Sequence, residues 1–130
     1  MYTGIVQACL PISRLRKDEG LYSFSIPFSE DMMLDLETGA SVSVNGVCFT
    51  VTGFADSEVS FDAVRETVEL TNIKYLEVGS LVNIERSAKQ NVEVGGHIMS
   101  GHVVGTAAVS GVEISPNNRR LSFRCDPAWL

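Results

Sequence analysis

Long apolar runs are absent from this sequence of 130 residues, and Met1 leads straight into Tyr2-Thr3-Gly4-Ile5-Val6 with no basic segment ahead of an apolar one. Neither a secretory signal nor a membrane-spanning helix is expected, which points to a cytoplasmic protein. Basic residues are few, 10 Lys and Arg against 16 Asp and Glu for a formal net charge of -6. No broad positive surface is left for a nucleic-acid backbone. Cysteine is sparse: Cys9, Cys48 and Cys125 have neither CxxC spacing nor disulfide density, so reduced thiols are expected. His97 and His102 lack further ligands at zinc-site spacing, and no metal is expected. With no GxSxG, GxGxxG or GxxxxGKS/T in the sequence, a serine hydrolase and a phosphate-cradling nucleotide site have no support.

Hydrophobic residues make up 45% of the chain and charged residues 20%, enough for one packed domain. Alternating stretches recur between turn residues, as in Leu21-Tyr22-Ser23-Phe24-Ser25-Ile26, Ser41-Val42-Ser43-Val44, Val47-Cys48-Phe49-Thr50-Val51-Thr52, Val59-Ser60-Phe61 and Leu81-Val82-Asn83-Ile84-Glu85. This is the pattern of half-buried strands. Asn45-Gly46, Gly53 and Val78-Gly79-Ser80 fall between the runs, where tight reversals are needed. An all-β antiparallel barrel or sandwich follows. Two short helices are predicted, one N-capped by Ser29 and closed before Gly39, the other from Arg65 to Thr71. Asp35, Glu37, Glu66 and Glu69 are then solvated helix charges by default.

The chain also echoes itself. Thr3-Gly4-Ile5-Val6 resembles Ser100-Gly101-His102-Val103 at an offset of 97 positions, and Ser23-Phe24-Ser25-Ile26-Pro27 resembles Ser122-Phe123-Arg124-Cys125-Asp126-Pro127 at an offset of 99. One hairpin-loop insertion would account for the drift, and a second copy beginning near residue 98 is expected. Gly95-Gly96 is read as a hinge between the copies.

A strand over 47–52 places Val47, Phe49 and Val51 on one face and Cys48, Thr50 and Thr52 on the other. Asp62 lies just past a strand, with Glu66 and Thr67 following at a helix start. Two readings stay open. These hydroxyls and carboxylates could converge on a polyhydroxylated ligand, or Thr50 and Thr52 are ordinary strand formers and Asp62 is a helix cap.

Five motifs in order resemble the riboflavin synthase family, which includes the non-catalytic lumazine proteins. Met1-Tyr2-Thr3-Gly4-Ile5-Val6 is similar to its M-F-T-G-I-V, and Asn45-Gly46-Val47-Cys48-Phe49-Thr50-Val51-Thr52 to its N-G-x-C-L-T-V-T. Phe61-Asp62-Ala63-Val64-Arg65-Glu66-Thr67 is similar to its F-D-x-x-x-E-T, Val82-Asn83-Ile84-Glu85-Arg86 to its V-N-x-E-R, and 95–103 to its G-G-H-x-x-S-G-H-V. Tyr2 and Phe49 are mild departures. The resemblance implies a six-stranded antiparallel Greek-key barrel with short helices over 1–97, followed over 98–130 by the first hairpin of a second barrel whose remainder is absent.

The family reaction is a cofactor-free dismutation of two molecules of 6,7-dimethyl-8-ribityllumazine into riboflavin and a ribityl-aminopyrimidine, the last step of riboflavin biosynthesis. The alternative is a lumazine- or flavin-binding protein without chemistry. Carried over by position, the resemblance implies substrate contacts at Cys48, Phe49 and Thr50, at Asp62, Ala63, Val64, Arg65, Glu66 and Thr67, and at Gly101, His102 and Val103. Gly4, Ile5 and Val6 would face a partner ligand. Cys48 is the candidate nucleophile or nucleophile-positioning group, or else a small buried hydrophobe, and His102 is a candidate proton carrier or a structural residue. The family assembles as a trimer; for this chain alone a homodimer with weak or no turnover is expected.

Overall fold

Each alternating stretch forms a strand, and the sheet they build is closed by a single bent segment. The structure, a computed structural model, describes residues 1–89 and 95–130. Strands β1 (Ala8–Pro11), β2 (Arg14–Asp18), β3 (Leu21–Pro27), β4 (Ser41–Val44), β5 (Val47–Ala55), β6 (Glu58–Val64) and β7 (Leu81–Arg86) form one antiparallel sheet in the order β1-β7-β4-β5-β6-β3-β2. Its two edge strands, β1 and β2, are separated only by Ile12 and Ser13. Ile12 N–H donates to Ser80 O at 2.9 Å beside β7, and Ser13 N–H donates to Ser25 O at 2.9 Å on β3. One strand thus serves both edges, and the seven segments close as the expected six-stranded Greek-key barrel.

The inward faces fill the barrel. Phe24, Phe49 and Phe61 are all buried, with the Phe24 ring edge-on to Phe49 at 5.2 Å and stacked on Phe61 at 5.5 Å. Val42, Val44, Val51, Val59, Val82 and Ile84 complete the core, each side chain contributing roughly 1.5–3 kcal/mol of apolar burial. Asn45 and Gly46, at φ 51° and 81°, make the left-handed two-residue turn that joins β4 to β5.

The first helix, α1 (Glu30–Met33), is a single turn, and Ser29 stands at its N-cap without a side-chain capping bond. It is held instead from its far end, where the Arg86 guanidinium donates to Leu34 O at 2.6 Å, Met32 O at 3.2 Å and Asp35 O at 3.2 Å. A cation on the last carbonyls suits the negative end of a helix. The second helix, α2 (Arg65–Leu70), falls where expected, but Val64 is its N-cap. Asp62 therefore lies within β6 and caps nothing, which removes one of the two readings of that residue.

Beyond the barrel, β8 (Ala108–Ser115) and β9 (Asn118–Arg124) form a separate hairpin. Its turn, Pro116-Asn117, lies 97 positions after the β2–β3 turn, Glu19-Gly20, and its register shift at Val109–Gly111 falls 97 positions after the bend at Ile12–Ser13. Asp126, the N-cap of a 3-10 turn at Pro127–Trp129, likewise answers to Ser29. The repeat keeps one offset throughout. The expected insertion is not there, and the counterpart of Phe24 is Leu121 rather than Phe123. Phe24 is 2% exposed and Leu121 51%, so the second copy repeats the hairpin without a core beneath it. Among the described residues, no helix is long and apolar enough to cross a membrane.

Candidate functional site

Strand β5 alternates as its sequence requires: Val47, Phe49 and Val51 point into the core, Cys48 is half-buried on the outer face, and Thr50 and Thr52 are exposed there. The Phe49 side chain is therefore core, and only its backbone is available to a ligand. Pairing of β5 with β6 runs from Ala55↔Glu58 to Val51↔Phe61. Past that point the strands fork, leaving Cys48–Thr50 on one side and Asp62–Val64 on the other, with α2 beginning directly after.

The rim of this fork is completed by the opening of the second copy. Cys48 N–H donates to Gly101 O at 3.0 Å, and Val103 packs against the barrel core. The first copy's opening crosses the same place, where Tyr2 Oη donates to Cys48 Sγ at 3.1 Å. Gly101 has φ +79°, and a Cβ there would stand 2.9 Å from Tyr2 Cε2 and 3.0 Å from Cys48 Cβ; glycine is required by both conformation and space. Burial first, and then the bond to Cys48, pushes the Tyr2 phenol above the ordinary tyrosine range.

The two openings are built alike. Thr3 Oγ1 accepts from Ile5 N–H and Ser100 Oγ from His102 N–H, both at 3.2 Å. The first is anchored by Glu85, 7% exposed, whose carboxylate accepts from Thr3 N–H at 2.6 Å, Thr3 Oγ1 at 2.8 Å and Gly4 N–H at 3.0 Å. Gly96 stands at a close approach to the first opening. A Cβ there would stand 2.5 Å from Thr3 O, and His97 N–H donates to that same carbonyl at 3.0 Å.

Other expected site residues are placed less closely. The Asp62 carboxylate is exposed and accepts from Ser23 Oγ on β3 at 2.7 Å, opening onto a depression of about 390 Å³ with Arg14, Ser25 and Ser60. Ala63 is buried, Thr67 half-buried, and Val64, Arg65 and Glu66 are exposed. Gly4, Ile5, Val6 and His102 are also exposed, and among the described residues the His102 ring makes no hydrogen bond. Cys48 and Gly101 are brought together; among the described residues no hydrogen bond joins Cys48 to His102. Tyr2, Ser23 and Glu85 went unassigned from sequence, although V-N-x-E-R had marked Glu85 and Arg86 as a motif.

A closed Greek-key barrel with a forked strand pair, followed by a repeat of its own opening segment and first hairpin, defines a small antiparallel β-barrel protein with an internal repeat. The chain belongs to the lumazine binding domain family, whose sequence model matches residues 3–87. It is 42% identical over 130 residues to riboflavin synthase of Escherichia coli (strain K12), covering 100% of this chain and 61% of that protein. It is 40% identical over 127 residues to riboflavin synthase of Bacillus amyloliquefaciens, covering 98% of the chain and 59% of the relative. The chain thus spans about three fifths of the length of these relatives. A crystal structure of LumP complexed with 6,7-dimethyl-8-(1'-D-ribityl) lumazine superposes with a TM-score of 0.86 at 26% identity, over 98% of this chain and 70% of that one. LumP complexed with riboflavin matches equally well, at 0.86 over 98% and 69%.

Proposed function

We propose that the chain binds 6,7-dimethyl-8-ribityllumazine and riboflavin at the β5–β6 fork, and that it acts as the N-terminal ligand barrel of a riboflavin synthase. The observation that carries this reading is the fork itself, where β5 and β6 part after Val51↔Phe61 and Gly101 of the second-copy segment is bonded to the β5 side at Cys48. Free backbone groups there suit the imide edge of a flat heteroaromatic ring, and Thr50, Asp62, Glu66 and Thr67 suit ribityl hydroxyls. The relationship to riboflavin synthases, which runs along the whole of this chain and about three fifths of theirs, favours the enzyme over a binder without chemistry.

In the proposed reaction two lumazines meet face to face. One donates a four-carbon unit to the other, giving riboflavin and a ribityl-aminopyrimidine, and the acidic 7-methyl group of the electron-poor ring supplies the carbanion. The protein contributes proximity and proton management, with Cys48 as the nucleophilic or nucleophile-positioning group and His102 as proton carrier. Gly4, Ile5 and Val6 would border a second ligand as Gly101, His102 and Val103 border the first. In this reading 1–97 is the first ligand barrel, of which residues 90–94 lie outside the described part, and 98–130 opens the second, in a cytoplasmic enzyme. The exposed apolar residues of β8 and β9 favour association, a homodimer for this chain and a trimer for the two-barrel protein.

Fluorescence titration with riboflavin tests the site. Saturable quenching is expected, with Asp62→Ala weakening it by about 1–3 kcal/mol, and no saturable change would overturn the reading. Incubation with 6,7-dimethyl-8-ribityllumazine separates enzyme from binder: riboflavin formation by a two-barrel form and little by this chain is expected, and binding without turnover in either marks the non-catalytic alternative.

A further inference from the structure

The motif M-F-T-G-I-V carries phenylalanine where this chain has Tyr2, and ligand binding gives the added hydroxyl no task. In the fold the hydroxyl has a specific partner, Cys48 Sγ at 3.1 Å. Tyr2 is 1% exposed, is tied by two backbone bonds to Met99, and lies with its ring edge over Gly101, where no Cβ fits. Its phenol is directed at the Cys48 sulfur, with the Ser41 hydroxyl as a second polar neighbour.

We propose that Tyr2 is a positioning residue for Cys48, its hydroxyl holding the sulfur at the seam between the two repeats and donating a hydrogen bond that strengthens when the sulfur becomes an anion. This deepens the ligand-site reading and rests on it only for the role of Cys48. Among the described residues, the titratable and charged groups near the sulfur are few. Glu85 on β7 is committed to Thr3 and Gly4, β4 presents Ser41 and Ser43 opposite Thr50 and Cys48, and the second-copy segment presents Gly101, with the His102 ring exposed. Because burial and the Cys48 bond raise the Tyr2 phenol above the tyrosine range, the donor keeps its proton over the range in which a thiol ionises.

A donor to sulfur has two opposed effects on reactivity. It raises the share of thiolate at neutral pH, and it lowers the nucleophilicity of each thiolate by about half as much on a logarithmic scale. A change in access alone moves the rate in one direction at every pH, so the crossing of two profiles is the signature.

Iodoacetamide alkylation is followed from about pH 6 to about pH 10, and is read at Cys48 by peptide mass spectrometry because Cys9 and Cys125 are also free. Tyr2→Phe is expected to react about two- to threefold more slowly than the unaltered chain at neutral pH, and at least as fast on the alkaline plateau. Equal profiles, or a change of one sign throughout, overturn the proposal. Incorporating 3-fluorotyrosine strengthens the donor at nearly unchanged size, and is expected to raise the neutral-pH rate; a fall or no change overturns the proposal whether or not Tyr2→Phe folds well. No flavin is present in these assays, so a failed riboflavin titration leaves their outcome intact.

Discussion

Tyr2 and Met99 exchange both backbone hydrogen bonds, at 2.8 Å and 2.9 Å, and stand at the same position of the two copies, 97 residues apart. Equivalent residues paired in this way lie on a local two-fold axis. Gly4 and Gly101, with φ of 80° and 79°, complete the exchange, because each lies beneath the other copy's side chain. Met99 Sδ stands 3.4 Å from a Cβ built on Gly4, and Tyr2 Cε2 stands 2.9 Å from one on Gly101.

The two glycines are therefore not equally replaceable. Alanine at either position is strained by roughly 1–2 kcal/mol in a left-handed conformation. Gly101→Ala also drives a methyl into an aromatic edge and a strand residue, adding about 1–3 kcal/mol, whereas Gly4→Ala meets the flexible end of a methionine. Urea unfolding of both variants checks this, and equal losses would contradict the packing described.

Glu85→Gln removes a carboxylate that accepts from Thr3 and Gly4 through both oxygens. A carboxamide nitrogen cannot accept, so one amide loses its partner, at a cost of about 1–3 kcal/mol. Hydrogen exchange is expected to quicken first at Thr3 and Gly4, while exchange in β4–β6 stays slow.

Phe24→Ala empties the centre of the aromatic cluster and is expected to cost about 3–5 kcal/mol. Phe123→Ala, at a side chain 58% exposed, is expected to change stability by less than about 0.5 kcal/mol and to weaken self-association in sedimentation. A large loss of stability at Phe123 would mean that the hairpin packs on the barrel.

Tyr2 also gives stability a pH dependence of known sign. Its folded-state phenol is raised above the ordinary value of 10.0, so its contribution is complete below about pH 10 and is lost as pH rises further, when the unfolded chain releases a proton that the fold retains. The stability difference between the unaltered chain and Tyr2→Phe is expected to shrink above about pH 10 in urea titrations. A difference that is flat or widening there would show that the phenol is not held protonated.

Strands were legible because both faces of each had distinct partners. Val47, Phe49 and Val51 against Cys48, Thr50 and Thr52 tell inside from outside by chemistry alone. The helices were less so: Ser29 looked like a cap, yet the holding group is Arg86, 51 or more positions from the carbonyls it binds, and local sequence carries no trace of such a bond. Chemical likeness of Ser-Phe sets Phe123 against Phe24, whereas turn position sets Leu121 there, and the pairing of β8 with β9 follows the turn. At the site, motif positions named Cys48 and Gly101 but not why they belong together, which is a matter of Tyr2 crossing between them.

The bend at Ile12–Ser13 fixes an order of assembly. β2–β3, β4–β5 and β5–β6 join segments close in sequence, whereas β1 must find β7, Ala8 pairing with Ile84 across 76 positions. Hairpins of the first kind close quickly, while the long loop carries the larger entropic cost and waits. During synthesis from the N-terminus, β1 emerges well before its partner and has no strand to pair with until the chain has grown beyond Arg86. Among the strands of this sheet β1 is thus the last to find its partner, and its backbone groups toward β7 stay unpaired while the hairpins between them close.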